Sequence, residues 1–585
     1  MIPIMLALIP LFFLPFTADY YDTNKWTLLV VIALIALLRA SRTSLTYGSS
    51  TVGLAAITVA SLASLLFAST NKIEALVHPF GPITFAALTA LSLLHFPSRR
   101  FLWLLFVSTS VLSLIAIYRF FGLGGADTLW SPTGSALAAA TILVLVIPLV
   151  TTGIREAYTH KHEGLLALLI TMMVVILAGL GITLWQLAPK LPEVLLSPKE
   201  GWAIMLEILK NPKQALVGVG VENFLTAFTA GRPARLNLSE LWATRFTTNT
   251  NFLFHLTTIY GLTGLAALLV FFRSFVTKTK RSGLAISLLL GFIALLLTPP
   301  NFSVLIVCVG LLMSAPSEKK TFSLTPWMSK TLFVVVATVC VFGFYGLIRF
   351  YGAEVYFARS LLASKKNDGS SSYNLQVQAM KFNPKITRFH ITNSQTSLAL
   401  SVSLSKFIID QTQAPQEEKE KNQQLVGQLI QQAIHEGKVA VSLNPINILA
   451  WENLARVYGQ LIGIAQGADS WAVKTYAQAI NLDPFNPVLA LELGGIMIQM
   501  KDYTAAITQF TRATNLKPDY ANAWYNLANA YRLIGDGENA RKTLEKTLTL
   551  LDPISSDYQI VQAQLNNEEA TVSGTLTTPP ITIEP

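Results

Sequence analysis

One feature limits this chain before any other: its first three-fifths is a succession of apolar stretches too long and too numerous for a soluble core. Between Met1 and about Arg349 eleven such runs lie near 2–17, 26–39, 51–69, 80–97, 101–118, 133–152, 165–188, 252–272, 283–298, 301–315 and 331–348. A membrane span takes ~20 apolar residues, and tilt or local thinning accommodates shortfalls. Charged residues are 13% of the chain and hydrophobic ones 52%, where a soluble domain carries about 25% charged. The mean hydropathy is +0.49 although the last third is polar. A soluble globular protein, a disordered chain and a disulfide scaffold are excluded. Cys308 and Cys340 sit inside apolar runs without a CxxC or metal-ligand neighbour, so they read as core thiols. Met1–Thr17 lacks a basic start and carries Pro3, Pro10 and Pro15, so it is not read as a signal peptide.

Orientation follows from where the cations fall. Thirteen Lys and Arg follow the even-numbered runs: Arg39, Arg42, Arg99, Arg100, Arg155, Lys161, Arg273, Lys278, Lys280, Arg281, Lys319, Lys320 and Lys330. The short loops of the other side hold three, Lys25, Lys72 and Arg119. This predicts a multi-pass inner (cytoplasmic) membrane protein with a cytoplasmic N-terminus. The loop after the seventh run and the whole C-terminal third then face outward. The net charge of +10 is a consequence of topology and does not imply nucleic acid.

After residue 350 a period appears. Asn444-Pro445, Asp483-Pro484, Lys517-Pro518 and Asp552-Pro553 are 39, 34 and 35 residues apart, each preceded by an Ala/Leu-rich amphipathic stretch. Trp451-Glu-Asn-Leu-Ala and Trp524-Tyr-Asn-Leu-Ala open two of the stretches that follow. The pattern resembles the tetratricopeptide repeat, a helix pair of 34 residues closed by such a Pro. The last two units, Ala505–Pro518 and Ala540–Pro553, fit best. An earlier degenerate unit ends at Asn383-Pro384, and the charged stretch Gln416–Gln424 reads as a solvated helix. The Trp and Tyr residues are expected in the inter-helix core. The fold expected is therefore all-α: a polytopic helical membrane bundle over 1–349 with an outward loop at 190–250, an extracytoplasmic α-solenoid of tetratricopeptide-like repeats over 350–565, and a disordered tail over 566–585. Repeats of this kind bind peptides or proteins, so a protein acceptor or assembly partner is expected at the solenoid.

The loop Lys190–Thr250 is the segment able to hold an elaborate site. Ser197-Pro198 opens a capped helix. Gly218-Val-Gly220-Val-Glu222-Asn223-Phe224 follows, then Arg232, Arg235 and Arg245, and the next run contains Asn251, His255 and Gly261-Leu-Thr-Gly264-Leu265. The stretch 197–265 resembles the O-antigen ligase family, polytopic enzymes that move glycans off polyprenyl-diphosphate carriers. Trp130-Ser-Pro132-Thr-Gly134-Ser resembles, in altered form, that family's Asn-Pro-Asn-type opening of an outward-facing span. The family's usual His-Asn pair reads Thr250-Asn251 here. His255, four residues on from Asn251 and on the same helix face, either takes that role or is a polar residue satisfied within the bundle.

The resemblance implies a metal-independent transferase without cofactor, acting on a polyprenyl-diphosphate-linked glycan in contact with membrane lipid. Fixed cations would stabilise the departing diphosphate, and Arg suits that task because its fork pairs phosphate oxygens and stays ionised. On this reading Arg245, His255 and Glu222 are catalytic candidates, with Glu240 a further candidate base. Arg232, Arg235, Asn251, Arg119, Gly218 and Gly220 are candidate substrate contacts. Local readings compete: the arginines pair with lipid headgroups or carboxylates, the glycines form turns, Glu222 caps and Arg119 snorkels. His160-Lys161-His162 reads as a solvated loop. Two other functions stand beside transfer: a non-catalytic membrane scaffold recruiting envelope proteins through its repeats, and, with less support, a transporter, which would need deep intramembrane charges and interrupted helices.

Overall fold

The computed structural model describes residues 2–40, 45–94, 96, 98–122, 130–190, 195–275, 283–315, 320–323, 325–410 and 415–570. Arg42, Lys278, Lys280, Arg281 and Lys319 of the orientation count, and 571–585 of the expected tail, lie outside them. Among the described residues the fold is all-α, apart from one antiparallel pair of three-residue strands, Leu45–Tyr47 with Lys320–Phe322. The chain divides into two compact units. One is Met1–Ala227 with Phe246–Phe389; the other is Phe228–Arg245 with His390–Pro585.

The apolar unit corrects the expected eleven spans. Seven described segments are long and apolar enough to cross a membrane: Ser49–Phe67, Lys72–Ser92, Ser98–Gly122, Ala136–Thr159, Glu163–Leu187, Phe252–Arg273 and Pro326–Lys365. The first run fails because its prolines break it: helix Ile2–Leu8 passes into a short 3-10 turn with Pro10 in it, and the chain is non-helical from Phe12. The ninth and tenth runs form helices Gly283–Leu297 and Phe302–Ser314, of 15 and 13 residues. At 1.5 Å per residue these are about 20 Å long, short of a ~30 Å hydrocarbon layer. The second run lies in Asp22–Ala40, a helix that also carries Asp22, Lys25 and Arg39. Two of the seven, Glu163–Leu187 and Pro326–Lys365, have only 17% of their apolar window buried. Trp185, Val341, Phe342 and Ile348 are each more than two-thirds exposed on them.

Helix Phe252–Arg273 is broken in its middle, and the break explains the glycines around it. Gly261 has φ +66° and ψ −156°, a conformation that essentially only glycine adopts. The break frees carbonyls, and the segment at 218–220 supplies donors to them. Val219 N–H donates to Thr258 O and Gly220 N–H to Ile259 O, each at 3.2 Å. Ser64 Oγ adds a bond to Ile259 O at 2.9 Å. Backbone must come this close for those bonds to form: a Cβ on Gly218 would lie 2.2 Å from Ile259 O, and one on Gly261 would lie 2.6 Å from Ala215 O. A buried helix break survives only where neighbours satisfy the freed groups.

The repeat unit is built of helix pairs. Ile448–Gln460 pairs with Ala468–Leu482, Pro487–Gln499 with Tyr503–Leu516, and Ala521–Leu533 with Gly537–Leu548, followed by Ser556–Ala570. The expected tail therefore begins inside a helix. The charged stretch at 416 opens helix Gln416–Leu443, its first turns largely exposed. Alanines allow the close packing: Ala450, Ala472, Ala479, Ala506, Ala513 and Ala540 are fully buried. Tyr458, Tyr476 and Tyr525 are buried as expected, and Trp524 packs on the cluster of Ala506, Phe510, Leu527 and Ala530 while staying partly exposed. Trp451 and Trp524 are not buried; each indole N–H donates 2.8 Å back to the carbonyl of the preceding turn's proline, Pro445 and Pro518. Helix and turn are thereby pinned identically in two repeats.

Candidate functional site

The segment Phe228–Arg245 belongs by its contacts to the repeat unit, although in sequence it lies between two helices of the apolar unit. It leaves helix Phe224–Gly231, forms a short 3-10 turn at Ala234–Leu238, and runs on without regular helix to Arg245. Arg232 organises it from within. Its guanidinium, 2% exposed, donates to Asn237 Oδ1 and, at 3.0 Å, to Trp242 O. Burial lowers its pKa from the ordinary arginine value, with Asp483 opposing.

The repeats hold this strap at three levels. Asn237 Nδ2 donates to two main-chain carbonyls at helix-pair ends, Phe485 O at 2.8 Å and Leu516 O at 3.1 Å. Lys517 Nζ returns a bond to Asn237 O at 3.0 Å and stands 4.8 Å from the Trp242 ring centroid. Trp242 also packs on Tyr520, with centroids 5.3 Å apart. At the end of the strap, Arg245 forms a two-pronged pair with Glu452, Nη1 to Oε2 at 2.8 Å and Nη2 to Oε1, and its Nη2 lies 3.4 Å from Asp483 Oδ2. Glu452 is 5% exposed and Asp483 is fully buried. Burial acts to lower the Arg245 pKa, yet the two carboxylates raise it on balance; burial raises Asp483. Asp483 Oδ1 is buried with no hydrogen-bond partner among the described residues.

This placement changes the roles expected of the loop. Arg232 and Arg245 are committed to Asn237, Trp242, Glu452 and Asp483, so their forks are not open to a diphosphate. Arg235 and Glu240 are exposed on the strap.

The remaining candidates lie in the apolar unit, each with a local task. Glu222 accepts from Thr70 N at 2.8 Å, Asn71 N at 3.2 Å, Ser69 Oγ at 3.1 Å and Asn223 Nδ2 at 3.0 Å. Its oxygens anchor the turn ahead of helix Lys72–Val77, three of the bonds falling on Oε1 and one on Oε2. Asn251 caps helix Phe252–Arg273, accepting from Phe254 N at 2.8 Å. His255 is 1% exposed, between Phe224 and Phe80 at 4.9 and 5.8 Å. Its Nδ1 accepts from Asn249 N at 3.3 Å, which puts the proton of a neutral ring on Nε2, and Nε2 has no partner among the described residues. Neither nitrogen offers a free lone pair, so as placed His255 does not supply the base expected of it. The Gly218 and Gly220 amides bond Gln214 O and Ile259 O, so these glycines seat the broken helix and do not cradle an anion. Arg119 lies 4.6 Å over the Trp130 ring, beside a very small cavity.

The apolar unit does contain a larger cavity, about 350 Å³, lined among others by Gly134, Ser135, Asn249, Thr298 and Asn301. Ser135 and Asn301 are the side-chain caps of helices Ala136–Thr159 and Phe302–Ser314. Lys25, wholly buried, donates 2.7 Å to Pro132 O and fixes the turn that leads to Ser135.

Sequence reasoning passed over Asn237, Trp242, Glu452, Asp483 and Lys517 as site residues. Three of them stood in the motifs already singled out: Glu452 follows Trp451 in Trp451-Glu-Asn-Leu-Ala, and Asp483 and Lys517 precede the repeat prolines and carry opposite charge at equivalent positions.

The comparisons with known proteins concern the repeats. A family model described as "TPR repeat" matches residues 494–535, and one described as "Tetratricopeptide repeat" matches 521–550. The heat shock protein sti1 homolog of Schizosaccharomyces pombe is 35% identical over 77 residues, 13% of this chain and 13% of that protein. The STIP1 homolog of Dictyostelium discoideum is 32% identical over 88 residues, 15% of each. The chain thus spans only a small part of the length of either relative. Among solved structures, MamA is 16% identical with TM-score 0.26, covering 39% of this chain and 98% of its own. A thermophilic TPR protein of Thermus thermophilus is 18% identical with TM-score 0.27, covering 37% and 99%. The first TPR of Spaghetti (RPAP3), bound to an HSP90 peptide, is 21% identical with TM-score 0.19, covering 22% and 94%. With the helix pairs and their pinned turns, the family matches establish that the C-terminal region of this chain carries tetratricopeptide repeats.

Proposed function

We propose that this chain is a membrane-anchored interaction protein whose repeats dock a segment of a protein partner. One observation carries the reading: the repeats already grip a largely irregular stretch of polypeptide, the part of 228–245 from Asn237 to Arg245, through its backbone, an aromatic ring and an arginine. Stacked repeats present such extended binding surfaces. Seven long apolar segments, two of them helices with largely exposed apolar faces, support an anchor in a bilayer, because surfaces of that kind need lipid or protein cover. The concentration of cations in alternate loops, which the seven-segment alternation preserves with Lys25 joining the richer side, supports a cytoplasmic N-terminus and an extracytoplasmic repeat domain. The test is site-specific photo-crosslinking in cells from Trp471 and Ile534, both about half exposed on the repeat unit. Discrete adducts with a protein partner are expected, with none from Val341 in the apolar unit. Lipid adducts alone would refute the reading.

A second reading, glycan transfer from a polyprenyl-diphosphate carrier to an acceptor hydroxyl or amide, has a specific observation in its favour. The segment that resembles the ligase family's span opening, Trp130–Ser135, contributes Gly134 and Ser135 to the 350 Å³ cavity, and two apolar helices start at its wall. Helix N-termini favour anions. Transfer of a labelled glycan from a polyprenyl-diphosphate donor in proteoliposomes tests it. Activity lost in Asn301→Ala would support it, and no transfer with any donor would refute it. Replacing Arg232 and Arg245 does not discriminate the two readings, because both residues hold the strap on the repeats.

A further inference from the structure

We propose that the edge of the repeat domain formed by Glu452, Asp483, Lys517 and Tyr520 is a recognition site for an arginine-bearing peptide, and that 228–245 is its resident occupant. The partner would be a protein segment of the same chemistry, which enters by displacing the strap. The inference rests on the interaction reading and adds the partner's chemical class.

Three observations converge on it. First, the pocket for the arginine is acidic and deeply set: Glu452 and Asp483 come from the two helices of one pair, Asp483 at the C-terminal end of Ala468–Leu482, and are nearly or wholly buried, and Asp483 is further fixed by Asn486 Nδ2 at 3.0 Å. Two buried carboxylates this close require a cation, and a guanidinium fork matches Glu452 with two parallel bonds. Second, part of the recognition is of main chain and stacking surface, which any polypeptide of the right shape supplies. Phe485 O and Leu516 O accept from a carboxamide, Lys517 donates to a backbone carbonyl, and Tyr520 takes an aromatic ring. Third, the strap is joined covalently at both ends to the other unit and is not part of any helix pair. It therefore occupies the site as a tethered ligand. A tethered ligand holds its site at an effective concentration of order millimolar, so a free peptide of micromolar affinity would be outcompeted by about a thousandfold. The recognition pattern read off the strap is an Asn, a Trp five positions on and an Arg three positions beyond that, as in Asn237, Trp242 and Arg245, with the Arg essential.

The experiment uses full-length protein in detergent and a fluorescein-labelled peptide with the sequence of residues 232–245, followed by polarisation. Wild type is expected to bind it weakly. Arg245→Ala, which loosens the resident strap, is expected to bind at least tenfold more tightly. Arg245→Ala with Glu452→Gln is expected to lose that gain, and a peptide whose final Arg is replaced by Ala is expected to bind neither protein. If Arg245→Ala unfolds the repeats, Trp242→Ala loosens the strap without leaving a carboxylate unpaired, and the same gain is expected. Equal binding by wild type and both loosened variants, or a gain that survives Glu452→Gln, overturns the proposal. A partner adduct from Trp471 that is undiminished by Glu452→Gln also overturns it, while leaving the interaction reading in place.

Discussion

Arg245 and Glu452 stand 207 residues apart in the chain and meet as a two-pronged ion pair, with Nη1 2.8 Å from Oε2. Asp483, fully buried, lies 3.4 Å from Nη2, which it shares with Glu452. A pair this shielded adds little to stability over an apolar replacement, but breaking it by removing one partner is costly.

Arg245→Ala is therefore expected to destabilise the repeat unit by about 3–5 kcal/mol, because it leaves two buried carboxylates without their cation. Arg245→Lys keeps the charge but loses the fork and should fall between wild type and Ala. Urea unfolding followed by tryptophan fluorescence measures both. If Arg245→Ala is within about 1 kcal/mol of wild type, on the order of an exposed pair, the strap is not held as described.

Gly218→Ala and Gly261→Ala should each lose about 1–3 kcal/mol from the backbone conformation alone. The clash at 2.2 or 2.6 Å adds to that. Gly181 serves as the control: a Cβ there meets nothing within 4 Å, so Gly181→Ala should be neutral or slightly stabilising. Thermal unfolding in detergent separates the three variants.

Burial raises the Glu222 pKa, against the pull of its hydrogen bonds to Asn71, Ser69 and Thr70. The folded state then binds the proton more tightly than the unfolded one, whose pKa is about 4.3. Stability contributed by this group consequently falls as pH rises from the unfolded value through the folded one. Glu222→Gln should flatten that part of the stability–pH curve and remain folded at neutral pH. Glu222→Ala should cost about 1–3 kcal/mol through unmet donors. A curve unchanged by Glu222→Gln would show that the carboxyl titrates normally.

Trp451→Phe and Trp524→Phe each remove one indole bond to a turn carbonyl, worth about 1 kcal/mol. The losses should be nearly equal because the geometry is the same at 2.8 Å. They should also add, since the two residues belong to different helix pairs. Guanidinium unfolding of the single and double variants is the check.

How much was legible in the sequence varied with the kind of signal. The repeat turns at Asn444, Asp483 and Lys517 were readable because a proline after a helix end is a local rule. The repeat aromatics read as core are core for Tyr458, Tyr476 and Tyr525, and Trp524 packs on that core; what the sequence did not reveal is that each indole N–H finds its partner in the preceding turn. The spans were overcounted where apolar composition was consulted without helix length, as Pro10 and the 13-residue helix Phe302–Ser314 show. Gly218, Gly220 and Gly261 were recognised as special, but their partner is each other's backbone, which no spacing along the chain reveals. Arg232 and Arg245 were picked out for their chemistry. The carboxylate partners of Arg245 lie 207 and 238 residues downstream, and nothing local announces such a pairing.

The strap also bears on the order of events in synthesis. Repeats stacked in a row interact with their nearest neighbours, so such arrays commonly grow from any point. Here Arg245 joins Glu452 to Asp483 within one pair, while Asn237 bridges Phe485 at the end of that pair and Leu516 at the end of the next, so one thread ties two successive pairs across their boundary. That thread leaves the ribosome long before its anchors. Until Lys517 has been made, the thread has no complete seat, and the array cannot close its edge by growing from its own first pair. Completion of this domain is thus a ring-closing event rather than the addition of a last tile.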